Sequence, residues 1–303
     1  MRLTFRQVGS GIFQWARHLI PALGLAASLS ACSVAGLFNA FIPERGMQAT
    51  HEIAFGQLPR QKLDVYQPAG GSTAARGPRP VVVFFYGGAW DSGDKSNYLF
   101  AAEALTSRGY VVVIPNYRIY PEVIFPTYME DAALAVKWTF DNAARFGGDP
   151  GKVFVMGHSA GAQLAALIAY DRTYLARVGL DKSQIRGVVS LAGPMDFLPL
   201  TEPTLFLIFP EAVRAASQPI NFITGKEAPT LVLHGEEDTR VGIHNARNLA
   251  ARIRERGGMV EENYYPGMGH LGIILAISAP LRNGKPILDR VARFIDERAA
   301  ARP

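Results

Sequence analysis

Cysteine is almost absent from this 303-residue chain, which has one, at position 32. A lone thiol forms no internal disulfide, so a small scaffold stapled by disulfides is excluded. There is no Cys cluster, no H-x-x-x-H and no H-E-x-x-H, so no metal site is expected. No Walker motif occurs either, and no cofactor is expected. Repeats at solenoid spacing and low-complexity tracts are missing. Charge is sparse, at 19% of residues, against 49% hydrophobic and 10% aromatic. Such a chain buries a large core and does not stay disordered. The net charge of +5 is thinner than it looks, because Arg2, Arg6 and Arg17 lie in the first 31 residues, which hold no Asp or Glu. Without them, 28 basic residues face 26 acidic ones. No Lys/Arg cluster is interleaved with aromatics, so no nucleic-acid partner is expected.

What the chain does have begins with a leader. The three arginines precede an apolar, small-residue run, LIPALGLAASLSA, from Leu19 to Ala31. This is the layout of a secretory signal, to be set apart from the fold. The sequence Leu29-Ser30-Ala31-Cys32 resembles the lipobox of bacterial lipoproteins, which implies lipidation at Cys32. Ser33 resembles the residue found in lipoproteins sorted to the outer membrane. Two other readings stand beside this one. The uncharged stretch Leu19 to Ile42 is 24 residues, long enough to span a bilayer as an uncleaved anchor, although Pro21, Gly24, Gly36 and Asn39 weaken it. Alternatively, Cys32 is a small apolar residue of a cleaved leader and the product is soluble. The expected organisation is a signal peptide over 1–31, a tether over 32–50 and one domain over 51–303. The protein is then exported and anchored in a membrane, on the periplasmic face. Its oligomeric state is not legible.

From about His51 strands alternate with helices. HEIAFG and KLDVYQP read as two short antiparallel edge strands. PVVVFFYGG and YVVVIPNYR are continuous β-branched and aromatic runs, as strands buried on both faces require. KVFVMG, IRGVVSLAG, APTLVLHG and VEENYYPG continue the series. NYLFAAEALTSRG, TYMEDAALAVKWTFDNAARFG, HNARNLAARIRERG and PILDRVARFIDERAA have helical spacing. This alternation predicts a mostly parallel sheet with helices on both faces. Only 194–227, rich in Pro, Leu and Phe, breaks the rhythm. It reads as a small cap or lid over the carboxyl edge of the sheet, with Leu205 to Phe209 as an apolar wall.

The sharpest local signal is Gly157-His158-Ser159-Ala160-Gly161, where a buried strand breaks and an amphipathic helix opens. A serine hydroxyl is a weak nucleophile that needs exposure, a base and donors for the oxyanion it creates. A sharp strand-to-helix turn supplies the exposure and crowds the residues two places away, which explains both glycines. The helix start also aims free amides at the site, so the Ala160 N–H is a candidate oxyanion donor. In FFYGGAW, Gly87 and Gly88 let another strand end turn sharply, and Gly88 and Ala89 are the remaining candidate donors. In LVLHGEEDTRV, Asp238 follows a strand end and can orient an imidazole; Glu236 and Glu237 are its rivals. In YYPGMGHLG, Gly267 and Gly269 make a mobile loop that brings His270 to Ser159 as general base. His158 and His234 are expected to bond locally. His51 and His244 have no evident partners, and His18 lies in the leader.

Together these motifs, with PNYRIYPE, FPTYMEDAALAVKW and FGGDPGKVFVMGHSAGAQLAA, resemble the α/β-hydrolase superfamily with the chain order Ser159, Asp238, His270. More closely the chain is similar to small bacterial carboxylesterases of the hormone-sensitive-lipase-like and arylformamidase-like groups, over roughly Gln61 to Asp296. The resemblance implies an α/β-hydrolase fold and a cofactor-free serine carboxylesterase, with catalytic Ser159, Asp238 and His270 and an oxyanion hole from Gly88, Ala89 and Ala160. The implied partner is a small or short-chain acyl ester. Alternatives are an arylformamidase-like amidase, a polysaccharide acetyl or feruloyl esterase, and an inactive binding lipoprotein on the same scaffold. One departure from the pattern is Tyr86, which stands where many such proteins carry the His of His-Gly-Gly.

Overall fold

The strands and helices anticipated from hydropathy assemble into a single eight-stranded sheet among the described residues of the computed structural model, which are Asn39, Ile42, 46–70 and 77–301. The leader, Cys32 and most of the tether lie outside the described residues. In chain order the strands are β1 (Met47–Ala54), β2 (Lys62–Pro68), β3 (Arg79–Phe85), β4 (Val111–Pro115), β5 (Gly148–His158), β6 (Ile185–Leu191), β7 (Thr230–Gly235) and β8 (Val260–Tyr265). Their spatial order is β1-β2-β4-β3-β5-β6-β7-β8. The first two pairings, β1 with β2 and β2 with β4, are antiparallel, and all the others are parallel. This is the α/β-hydrolase arrangement.

Burial explains the order. Val81 to Phe85 in β3, Val111 to Ile114 in β4 and Val153 to Met156 in β5 are buried along their whole length, so both faces of the central strands must be covered. The cover is α1 (Leu99–Thr106), α2 (Thr127–Asn142), α3 (Ala160–Tyr170), α4 (Arg172–Arg177), α5 (Pro203–Ile208), α6 (His244–Glu255), α7 (His270–Leu275) and α8 (Ile287–Ala300). Helix α3 is buried at every position and packs on β5, β6, β3 and α2, while α8 packs on β6, β3, β7 and α1. Among the described residues no helix is long and apolar enough to cross a membrane.

Three readings of the sequence need correction. β2 is not an edge strand, because Leu63, Val65 and Tyr66 are buried and it pairs on both sides; β1 holds that edge. The run from Asn97 splits into a 3-10 turn, Lys95–Tyr98, capped by the Asp94 carboxylate, followed by α1. The helix after Ser159 is not amphipathic, since every residue from Ala160 to Tyr170 is buried. The turn at Gly267 to Gly269 is where it was expected, and His270 opens α7 directly after it.

The topology itself sets up a crevice. From β3 the chain moves to β4 on one side, and from β5 it moves to β6 on the other. The carboxyl ends of β3 and β5 therefore sit side by side where the winding reverses, the place where open α/β sheets hold ligands. Between β6 and β7 the stretch around α5 continues as three short 3-10 turns, Glu211–Val213, Ala215–Ser217 and Pro219–Phe222, above that edge.

Candidate active site

Ser159 sits at the tip of β5 with φ 54° and ψ −126°. This left-handed backbone costs a non-glycine residue about 1–3 kcal/mol and persists only where the surroundings dictate it. Here the flanking glycines do so. A Cβ on Gly157 would lie 2.2 Å from the Gly161 carbonyl oxygen, and one on Gly161 would lie 2.1 Å from that of Phe85. Both are inside any tolerable contact, so β5, α3 and β3 approach this closely only with glycine at both places. The Ser159 amide donates to the Leu191 carbonyl at 2.9 Å, tying the turn to β6.

The His270 imidazole lies over the serine. Ser159 Oγ is 2.8 Å from His270 Nε2, and His270 Nδ1 is 2.8 Å from Asp238 Oδ2. Asp238 is held by its own loop after β7, its Oδ1 accepting from the amides of Arg240 at 2.9 Å and Val241 at 2.8 Å. A second imidazole, His234, faces Oδ2 at 3.3 Å and also the Val241 carbonyl at 2.8 Å. Both of its neighbours are acceptors, so His234 Nε2 carries a proton. Burial works to raise the Asp238 carboxyl. Hydrogen bonds from His234 and His270 outweigh it and hold the group well below the usual carboxylate range. The rivals Glu236 and Glu237 are exposed, and neither meets His270.

His158, the residue before the serine, is buried and donates from Nε2 to the His270 carbonyl at 3.1 Å. Burial, followed by the nearby His270, pushes its imidazole down to about 3. It therefore stays neutral and ties the start of α7 to the turn at Ser159. The local bonding expected of His158 and His234 thus reaches the two partners of the serine. The histidines read as unpartnered are not. His51 Nδ1 lies 3.0 Å from buried Asp64, and His244 lines the cleft beside Ser159. The His51 contact crosses between the paired strands β1 and β2, and His244 comes to the cleft only through the fold.

Past β3 the backbone turns through three positive φ angles in a row, Gly88 at 147°, Ala89 at 47° and Trp90 at 61°. A Cβ on Gly88 would strike the Ser92 carbonyl oxygen at 2.1 Å. That carbonyl arrangement is closed by bonds from Asp91 N at 3.0 Å and Ser92 N at 2.9 Å to the Gly88 oxygen. Among the described residues, the amides of Gly88, Ala89 and Ala160 have no hydrogen-bond acceptor. Tyr86, in place of the usual histidine, is stacked on Tyr117 at 4.7 Å and Tyr98 at 5.7 Å. Its hydroxyl accepts from Arg60 at 2.9 Å, and its carbonyl accepts from the Tyr117 hydroxyl at 2.8 Å. A tyrosine stack thus holds this loop.

Ser159 opens into a cleft of about 300 Å³. Trp90, Phe197 and Leu205 give it an apolar wall, and Glu202, Arg240 and His244 give it a polar rim. Phe197, Glu202 and Leu205 come from the stretch 194–227. Of the wall expected from Leu205 to Phe209, only Leu205 lines the cleft: Phe206 and Leu207 face water, and Ile208 and Phe209 are buried. A hydroxyl that reaches the cleft, with a nitrogen base at 2.8 Å, a carboxylate behind it and free amides nearby, can transfer an acyl group.

Comparison with known proteins places this geometry in context. Residues 63–253 match the model of the BD-FAE family. The esterase LipC of Mycobacterium tuberculosis is 32% identical over 270 residues, covering 81% of this chain and 64% of LipC. A probable isoprenylcysteine alpha-carbonyl methylesterase of Arabidopsis thaliana is 26% identical, covering 77% of this chain and 52% of the plant protein. This chain thus spans roughly half to two thirds of the length of these two relatives. Among solved structures, the apo form of Thermogutta terrifontis esterase 2 superposes with a TM-score of 0.70 at 23% identity, covering 86% of this chain and 98% of that one.

Proposed function

The chain belongs to the BD-FAE family, and from that premise and the geometry of its site we propose that it is a serine carboxylesterase acting on small or short-chain acyl esters. The observation that carries this reading is the unbroken relay from Ser159 Oγ through His270 to Asp238, with 2.8 Å at each step. His270 Nε2 takes the serine proton as Oγ attacks the ester carbonyl carbon. The carbonyl oxygen becomes an oxyanion, which the amides of Gly88, Ala89 and Ala160 receive. Each such donor is worth about 2.7–4 kcal/mol of barrier. The imidazolium returns its proton to the departing alcohol, leaving an acyl group on Ser159. A water deprotonated by His270 then releases the acid and restores the serine. Asp238, kept ionised, holds the imidazole in the tautomer this cycle needs and stabilises its charged form.

The test is turnover of p-nitrophenyl acetate and butyrate by leaderless protein, abolished in Ser159→Ala. No turnover from acetate through octanoate overturns the reading. We further propose that the protein is exported and anchored through a lipid on Cys32, on the strength of the basic and apolar leader. Mass spectrometry of the mature amino terminus checks this. A diacylglyceryl cysteine at the first position supports it, and an intact leader or an unmodified cleaved end contradicts it.

A further inference from the structure

Helix α3 is built from alanine, leucine and other apolar residues with one polar exception, Gln163, four residues after Ser159. Its side chain is fully buried. A buried amide destabilises unless its polar atoms are bonded. Gln163 Oε1 accepts the indole N–H of Trp90 at 3.0 Å, and its Nε2 donates to the Ser217 carbonyl at 2.8 Å. One side chain thus joins three pieces: the nucleophile helix, the turn after β3 and the segment above the cleft.

We propose that Gln163 is a positioning residue that holds the oxyanion-binding turn in place through Trp90. The turn needs such a hold. Ala89 and Trp90 both occupy the left-handed region without being glycine, a conformation the local chain does not favour. Trp90 is the grip. Its ring is edge-on to Phe209 at 4.8 Å and stacked on Phe197 at 5.7 Å, and its carbonyl accepts from Tyr120 N at 2.8 Å. Packing alone lets a flat ring slide in its slot, whereas the N–H bond to Gln163 fixes where along the slot it stops. Because Gln163 and Ser159 share one turn-and-helix unit, the Ala89 amide is referenced to the nucleophile. The other end of Gln163 extends the same reference to the cap. Ser217 is followed by Gln218, whose Oε1 accepts the Phe197 amide at 2.7 Å, and Phe197 lines the cleft.

This inference rests on the serine esterase reading, and it concerns the transition state rather than ground-state binding. Gln163→Met keeps length and removes both bonds; Trp90→Phe keeps an aromatic ring and removes only the N–H donor. On p-nitrophenyl acetate, each is expected to lower kcat about tenfold or more, less than loss of a whole oxyanion donor, with KM within about threefold. The double variant is expected to be no slower than the slower single one, because both changes cut the same link. The probe for the oxyanion is an alkyl trifluoromethyl ketone. Ser159 Oγ adds to its carbonyl carbon, the serine proton passes to His270 and the oxygen becomes an oxyanion, with nothing leaving. Its affinity is expected to fall in step with kcat/KM. An unchanged kcat in Trp90→Phe, additive effects in the double variant, or a raised KM at constant kcat overturns the proposal. Should Gln163→Met fail to fold, Trp90→Phe decides alone. Wild-type protein that neither turns over esters nor binds the ketone overturns the esterase reading and this inference with it. Active wild type with an equally active Trp90→Phe variant overturns this inference only.

Discussion

The turn at Ser159, at the tip of β5, and the segment between β6 and β7 face each other across the same cleft, yet they are built on opposite terms. The turn is over-determined. Gly157 and Gly161 stand where a single methyl group would meet backbone at 2.1–2.2 Å, and Ala160 through Tyr170 are all buried. The segment above it is made of one six-residue helix and three short 3-10 turns, with Leu198, Phe206 and Leu207 exposed. The turn tolerates almost no change at its glycines, because the atoms an added methyl group would meet there are main chain. The exposed residues of that segment tolerate much, since Leu198, Phe206 and Leu207 face water. On the esterase reading, this contrast predicts a division of labour in which the sheet edge carries the reaction and the segment above it selects what fits.

That division is open to attack, starting where the effect is largest. Ser159→Ala removes the nucleophile and should reduce turnover on the order of 10⁶-fold. Its thermal midpoint should stay near that of the wild type, as scanning calorimetry would record. A large loss of stability would mean the hydroxyl is structural. Gly161→Ala adds one methyl into the Phe85 carbonyl and should cost at least about 1–3 kcal/mol, seen in urea unfolding, and remove activity as well. Leu207→Ser, 56% exposed in the cap, should leave stability within about 0.5 kcal/mol. Equal losses at these two places would erase the contrast.

Smaller effects sharpen it. Phe197→Ala enlarges the apolar wall and should move the octanoate-to-acetate ratio of kcat/KM upward by about tenfold, within what a few methylene contacts supply. A uniform fall for all chain lengths would place Phe197 in the catalytic frame instead.

The smallest effect concerns acid, and it belongs to the turn. His158, at about 3 in the folded protein against 6.5 free, binds its proton only after unfolding across that interval. Its contribution is therefore complete above pH 6.5 and is lost as pH falls from 6.5 towards 3, by up to about 1.4 kcal/mol per pH unit. Asp238, held low, adds a loss of the same sign once pH drops below the free carboxyl value near 4. Urea unfolding at pH 6.5 and 5.5 should show about 1 kcal/mol of loss, flattened in His158→Gln. An unchanged slope in that variant would remove His158 from the account.

Legibility follows the same contrast. The buried strands announce themselves as unbroken β-branched runs, and Gly-x-Ser-x-Gly is visible because glycine is the only residue its packing admits. Asp238 and His270 are visible as polar residues just past strand ends. What stays hidden is whatever depends on one side chain meeting another far along the chain. Trp90 with Gln163, 73 residues apart, has no periodicity to betray it. Tyr86 reads as a departure in the sequence, and only the stack with Tyr98 and Tyr117 shows what replaces the histidine. His51 reads as alone because its partner Asp64 faces it from the neighbouring strand. The cap is least legible, because exposed turns place few demands on the residues that form them.

The central claim is that the hydroxyl at 159 is the group made reactive by the imidazole at 270. A fluorophosphonate probe followed by peptide mass spectrometry reads this without knowledge of the natural ester. A single stoichiometric adduct on Ser159, formed far more slowly in His270→Ala, is the expected result. An adduct on another residue, or unmodified Ser159 in protein whose esterase activity the probe has abolished, would contradict it.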